Sequence, residues 1–305
     1  MLVYDMDVRS CLGIRAAPSM VLALLVGCGG SDPSPALPEA LRAAFPADSS
    51  RSERIADGLW YHYLWSASGP FALHLTEMDM DRCELALDVA SARRGGDGST
   101  HERVSSFAAR HTRPVLVAVN GDFYTPEGAP LGPEVVQGEV LRGRSRPALA
   151  WRHGDAFIGT LGVEGEVVAG PDWGTGDDAV EVDVVGGFPE LLDAGQRVGD
   201  LGVASNPTFA ASRHPRTAVG VDPTSRRLWI VVVDGRQGEY STGMSLPELT
   251  SLLEALGATE GLNLDGGGSS AMVIGGRMVS RPSDPGGERP VVNALLVVRD
   301  STGCR

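Results

Sequence analysis

Residues Val231 to Val273 read VVVDGRQGEYSTGMSLPELTSLLEALGATEGLNLDGGGSSAMV, and three kinds of local structure follow one another in them. The stretch opens on the end of Leu228–Val233, LWIVVV, which is almost entirely β-branched or aromatic. It lacks polar alternation, so it predicts a central strand buried on both faces. That strand runs out at Asp234-Gly235-Arg236. Ser245-Leu246-Pro247-Glu248 then fits a capping box with proline in the first helical turn. Leu246, Leu249, Leu252, Leu253 and Leu256 recur on one helical face, and Gly257 marks the stop. Leu262 to Asp265 predicts a second strand, which enters the turn Gly266-Gly267-Gly268 followed by Ser269 and Ser270.

The same punctuation continues outward. Val115–Val119 (VLVAV) is a short apolar strand leading into Asn120-Gly121-Asp122-Phe123-Tyr124. Leu59 to Leu75 and Glu84 to Ala90 have strand-like patterning. Pro130 to Arg142 predicts a loop and a hairpin, Pro147 to Ala169 several short strands, and Ala271–Ile274 and Val291–Val298 two more. No fixed-period repeat is present. The expected class is α+β, with strand-rich mixed sheets and a few flanking helices.

Composition bounds the function. Of 305 residues, 42% are hydrophobic, which suits a packed globule, and the formal net charge is −13. An acidic chain repels phosphate backbones, so nucleic acid is excluded as the default partner. All 26 basic residues are arginine. A lysine-dependent phosphate loop and Schiff-base chemistry are therefore both absent, and any anion must be held by guanidinium groups. The six histidines show no paired metal spacing, so zinc hydrolysis has no support.

Near the start, RAAPSMVLALLVGC (Arg15–Cys28) places a basic residue before an apolar run too short to span a bilayer. Its end, Leu25-Val26-Gly27-Cys28, resembles the bacterial lipobox, which implies a lipoprotein signal peptide over 1–28, lipidation of Cys28 and an exported protein anchored to the membrane by lipid alone. Residues 29–50, rich in Gly, Ser, Pro and Ala, read as a flexible linker, leaving 51–305 as the domain. An exported compartment permits a disulfide between Cys83 and Cys304, tying the early domain to its last residues; two free thiols are the alternative.

Three strand ends carry polar clusters: VAV–NGDFY, VVV–DGR and LNL–DGGGSS. If those strands are neighbours, Asn120, Asp122, Asp234, Arg236, Asn263, Asp265, Ser269 and Ser270 converge, because strand ends present side chains and free amides together. Gly266, Gly267 and Gly268 allow close backbone approach, and their amides followed by two hydroxyls predict an anion nest. Arg216, Arg236 and Arg289, set among turn residues, are candidates to fix an anion. No cofactor is expected. Calcium is the ion that Asp265, Asp234 and nearby carbonyls would suit.

Four blocks together are highly specific: NGDFYTPEGAPLG (Asn120–Gly132), PRTAVGVD (Pro215–Asp222), the stretch Val231–Val273, and ERPVVNALLVV (Glu288–Val298). They resemble the phosphodiester glycosidases. Two places depart from the family's usual wording: Asp122 within the first block, and Gly186-Gly187-Phe188-Pro189-Glu190-Leu191 ahead of the second. The resemblance implies hydrolysis of a sugar-1-phosphodiester at the sugar C1–O bond, on a carbohydrate phosphodiester or exopolysaccharide. In that chemistry the phosphate leaves, cations compensate it, and a carboxylate serves C1. The expected roles are Asp265 as nucleophile or base, with Asp234 or Glu288 as its acid/base partner. Arg216, Arg236 and Arg289 would hold phosphate, while Asn120, Thr217 and Ser269 would position the sugar. A non-catalytic glycan-binding surface protein and a phosphodiesterase cutting at P–O remain the alternatives.

Overall fold

Why the central strand of the sequence is apolar throughout becomes clear in the computed structural model: it is covered on both sides. The structure describes residues 36–300 and Cys304, apart from 97, 153, 165–166, 170–181, 200 and 202–205. Cys11, Cys28 and the expected signal segment fall outside the described residues. Among those described, twenty strands outnumber four α-helices, so the α+β, strand-rich class holds. Every strand pair described is antiparallel. The sheets are therefore not mixed as expected: hairpins such as Leu59–Ser66 with Phe71–Asp79, and pairs far apart in sequence such as Phe71–Asp79 with Arg227–Val233, all run antiparallel.

The largest sheet has eight strands, in the order Ser49–Ala56, Leu59–Ser66, Phe71–Asp79, Arg227–Val233, Arg216–Asp222, Glu260–Asn263, Glu190–Asp193 and Gln196–Arg197. One face buries Val219, Val221, Ile230, Val232 and Leu262 against residues of two five-stranded sheets, among them Val117, Val119, Leu149, Trp151, Leu295 and Val297. The alternate residues Ala218, Trp229, Val231 and Val233 pack against the leucines of the helix Leu246–Leu256. That helix is built as its sequence predicts. Ser245 and Glu248 form a reciprocal capping box, and Gly257 ends it at φ 88°. One five-stranded sheet centres on Val115–Asn120 and Asn293–Arg299, and its outer face is covered by Val104 and Phe107 of the helix Val104–Arg110.

Residues 39–50 correct the expected linker. Glu39–Ala44 is a helix whose Leu41 is fully buried, and Ser49 already begins a strand. Small and polar residues mask one well-placed leucine here, and that leucine packs with Leu246 and Leu249 of the long helix. At the other end, the sulfurs of Cys83 and Cys304 are bonded across 221 residues of sequence.

Candidate active site

The three polar strand ends do meet, although not as neighbours in one sheet. Arg227–Val233 and Glu260–Asn263 flank the strand Arg216–Asp222, while Val115–Asn120 belongs to the facing five-stranded sheet. Backbone and side-chain bonds stitch the sheets together at this point. Asp265 N–H donates to the Gly121 carbonyl at 2.9 Å, and the Asn120 amide donates to the Asp265 carbonyl at 2.6 Å. Thr217 Oγ1 and Ala271 N–H donate to Asn120 Oδ1. Asn120 and Thr217 are thus fully buried and fully bonded. They position the glycine loop rather than meeting a sugar, which corrects their expected role.

The loop itself is locked from within. Gly266 N–H donates to Asp265 Oδ1 at 2.8 Å, Gly267 N–H to the Pro215 carbonyl at 2.8 Å, and the Ser269 and Ser270 amides to the carbonyls of Gly266 and Gly267. Four of the five amides from Gly266 to Ser270 are consumed, so the expected backbone anion nest does not form. The glycines serve close approach instead. A Cβ on Gly268 would stand 2.2 Å from an Arg289 nitrogen, and one on Gly267 3.0 Å from an Arg236 nitrogen. Two guanidinium groups therefore lie against the loop because it has no side chains there.

Two carboxyl groups share the junction. Asp122 is buried, receiving Gly132 N–H on Oδ2 at 2.5 Å, and its own N–H donates to Asn293 Oδ1 at 2.9 Å. Its Oδ1 has no hydrogen-bond partner among the described residues. Burial pushes Asp122 up to about 7, against the pull of the Gly132 amide and the Arg146 guanidinium, and Asp265 pushes it further. Asp265, half-buried, is raised to about 6, chiefly by burial, while the Ser269 hydroxyl, the Gly266 amide and Arg289 favour its charge. The Ser269 hydroxyl lies beside Asp265 but makes no hydrogen bond of good geometry, and Ser270 Oγ and Asn263 Oδ1 are also without partners among the described residues. Asn263 spends its amide on the Phe188 carbonyl at 2.7 Å. A buried polar atom left unpaired costs about 1–3 kcal/mol. Such atoms gathered around two raised carboxyls mark a place built to receive a polar molecule.

Three expected residues do something else. Asp234 is buried and saturated: His74 Nε2 lies 3.0 Å away, the Tyr240 hydroxyl donates at 3.1 Å and Arg281 N–H at 2.9 Å. His74 in turn meets the Tyr61 hydroxyl at 2.8 Å. Asp234 fastens the loop bearing Arg236. Asp265 belongs to no cluster of three His, Cys, Asp or Glu side chains of ligating geometry among the described residues. Glu288 accepts Ser105 N–H at 2.8 Å and Ser105 Oγ at 2.6 Å, where it caps the start of the helix Val104–Arg110. Arg216 is buried, and it donates to the carbonyls of Met244, Phe209 and Ser212. Burial, then Arg236, lower its pKa to about 10. It is a strut between strand and helix, not a surface anion hook.

Arg236 and Arg289 do reach the site. Arg236 is exposed, held in a left-handed conformation at φ 57°, and its Nη2 stands 3.4 Å from His214 Nδ1. It has no carboxylate partner among the described residues. Arg289 is paired with Asp284 at 2.7 Å. The sequence reading missed Arg146, whose guanidinium lies 4.8 Å from the Phe188 ring and 5.8 Å from the Phe123 ring. It also missed Asn293, which holds Asp122. Phe123 and Asn293 sat inside matched blocks, whereas Arg146 lies in a loop with no motif. The Gly186-Gly187 pair was visible, and its purpose is now clear. A Cβ on Gly186 would fall 2.7 Å from Asp122 Oδ2, and one on Gly187 2.7 Å from the Asn263 carbonyl.

Comparison with known proteins bears on the fold and the family. Among solved structures, the chain resembles a hypothetical protein from Synechocystis (TM-score 0.66, 20% identity, 84% of this chain and 64% of that one). It also resembles the zebrafish N-acetylglucosamine-1-phosphodiester alpha-N-acetylglucosaminidase catalytic domain, auto-inhibited by its pro-peptide (TM-score 0.60, 22% identity, covering 84% and 85%). A putative exported protein from Burkholderia pseudomallei K96243 aligns with TM-score 0.56 at 22% identity, covering 75% and 74%. At these identities the likeness is one of fold. Among curated proteins, the SPbeta prophage-derived uncharacterized protein YomE of Bacillus subtilis (strain 168) is 38% identical over 85 residues, or 28% of this chain and 13% of that protein. The chain thus spans less than two thirds of YomE and of the Synechocystis protein. The family model described as phosphodiester glycosidase matches residues 113–298, which hold Asp122, Arg146, Arg236, Asp265 and Arg289. With that match taking in more than half of its length, the chain belongs to the phosphodiester glycosidase family.

Proposed function

We propose that this protein hydrolyses a sugar-1-phosphodiester at the C1–O bond, with Asp265 and Asp122 as the working pair. The observation that carries this reading is the pair itself: two carboxyls on adjacent backbone segments, one near 6 and one near 7, beside guanidinium groups. Asp265, ionised first, serves C1, either attacking it or activating water. Asp122, retaining its proton longer, supplies the acid. It takes the place that Asp234 and Glu288 cannot fill. The leaving group is a phosphate monoester, so the electrostatic demand falls on Arg236 and Arg289 along the glycine loop. Ser269, Ser270 and Asn263, with unpaired atoms, hydrogen-bond the substrate, and the half-exposed Phe123 and Phe188 rings flank the sugar. Family membership supports a glycosidase-type hydrolase. The carbohydrate phosphodiester or exopolysaccharide substrate, the export and the lipid anchor at Cys28 belong to this proposal, on the strength of the motifs alone.

The test is a product assay on a panel of sugar-1-phosphodiesters in heavy-oxygen water, with Asp265→Asn as control. Label in the sugar hydroxyl at C1 supports the glycosidase. Label in the phosphate would show cleavage at P–O and overturn it, and tight glycan binding without turnover would make the protein a binder.

A further inference from the structure

The charged groups of the site place arginines on both sides of the carboxyl pair. Arg236 and Arg289 flank the glycine loop on the Asp265 side. Asp122 follows, across the bond from Asp265 N–H to the Gly121 carbonyl. Beyond it comes Arg146, whose Cβ would stand 3.7 Å from a Cβ on Gly132, the residue whose amide binds Asp122. Cations thus stand at both ends of the carboxyl pair, whereas a single phosphodiester needs them at one end only.

Arg146 is not an ordinary surface arginine. It is half-buried, with its guanidinium over the Phe188 and Phe123 rings, and it has no ion-pair partner within 4 Å among the described residues. Phe123 packs edge-on against Phe209 at 6.0 Å, so the aromatic wall continues past it. A guanidinium partly stripped of water, beside a buried Asp122 that keeps one oxygen unpaired, has spare hydrogen-bond donors and a planar fork suited to an oxyanion. A neutral sugar hydroxyl would use that fork poorly.

We infer that Arg146, walled by Phe123 and Phe188, is a second anion subsite that recognises a negatively charged group on the sugar itself. The inference rests on the sugar-1-phosphodiester reading of the same site. With the cleaved phosphate at Arg236 and Arg289 and C1 at the carboxyl pair, the distal side of the sugar faces Arg146. The substrate class is then a glycosyl phosphodiester whose sugar carries a further phosphate, as in a chain of repeating sugar phosphates, or a carboxylate, as in a uronosyl unit. The shared chemistry is an oxyanion distal to C1.

The experiment is calorimetric binding to the whole protein, which needs no turnover. The probes are the 1-phosphate and 1,6-bisphosphate of glucose, mannose and N-acetylglucosamine, with glucuronic acid 1-phosphate as the carboxylate arm. For at least one sugar, a distal anion is expected to tighten binding about tenfold or more, the scale of one charge-assisted contact. Arg146→Gln should bring that ratio to within about twofold, and Arg146→Lys should leave it between the two. Arg144→Gln, which removes an exposed charge two residues away, should leave it intact. A tighter bisphosphate assigns phosphate, and a tighter glucuronate assigns carboxylate. Equal binding of all pairs by the native protein would overturn the subsite, as would equal losses in the Arg144 and Arg146 variants. If a distal-anion preference appears without hydrolysis of any diester, the subsite stands and the glycosidase reading falls. Hydrolysis without any preference does the reverse.

Discussion

Asp234 and Asp265 begin from the same words. Each ends a strand of the eight-stranded sheet or its short continuation, each is followed by glycine, and the strands that deliver them flank the same neighbour. Asp234 has three donors on its two oxygens, one of them the His74 imidazole. Asp265 accepts one hydrogen bond, from the Gly266 amide of its own loop, with Ser269 and Arg289 only nearby, and its pKa is raised to about 6. The same residue type at the same kind of position is a fastening in one place and a reagent in the other. What separates them is how many donors the surrounding chain supplies.

The largest way to break that contrast is Asp265→Asn. Turnover of a sugar-1-phosphodiester should fall about 10³-fold, with circular dichroism unchanged, as removal of a positioned acid–base or nucleophilic group does. Near-native turnover would dissolve the contrast. Next is Asp122→Asn. Activity should rise with pH as Asp265 ionises near 6 and fall as Asp122 loses its proton near 7. These apparent values belong to the coupled pair. The asparagine variant should lose about 10²-fold in rate and also the alkaline limb. It should gain stability as well. An aspartate near 7 when folded and about 3.9 unfolded increasingly opposes folding as pH rises between those values. The melting temperature of the variant should therefore exceed the native one more at pH 8 than at pH 5.

Asp234→Asn should invert this pattern. It disturbs the bonds from His74, Tyr240 and the Arg281 amide, costing about 1–3 kcal/mol, which urea unfolding will measure, while turnover changes only a few-fold. A rate loss as deep as that of Asp265→Asn would restore Asp234 to the chemistry. Smallest is Glu288→Gln, which weakens the capping of Val104–Arg110 by about 1 kcal/mol or less and leaves kcat where it was.

Much of the fold was legible. The LWIVVV strand, the capped leucine helix and the glycine turn are written in local patterns of period and punctuation, and they appear where those patterns put them. The helix Val104–Arg110 was not read, because it is too short for periodicity and its cap comes from Glu288, 183 residues away. The helix Pro207–Ala211 did carry a signal, Asn206 before Pro207, and Asn206 Oδ1 accepts Phe209 N–H at its start. In the site, the loops that converge were legible, since strand ends advertise themselves. The division of labour was not. Whether Arg216 meets carbonyls or phosphate, and whether Glu288 meets Ser105 or a sugar, depends on which distant segments fold beside them. Arg146 shows the converse: a residue without motif, made notable by two rings and a carboxyl brought in from two other segments.

The bond between Cys83 and Cys304 makes the chain from residue 83 to residue 304 a closed covalent ring. Asp122, Asp265 and all three site arginines lie within it, while the strands Ser49–Ala56 and Leu59–Ser66 and everything before them hang from it as a tail. A single protease cut anywhere in the ring would leave one molecule and both carboxyls still joined. A single cut between residues 122 and 265 parts them only once a reductant opens the disulfide, so gel migration of singly nicked protein with and without thiol reads the topology directly.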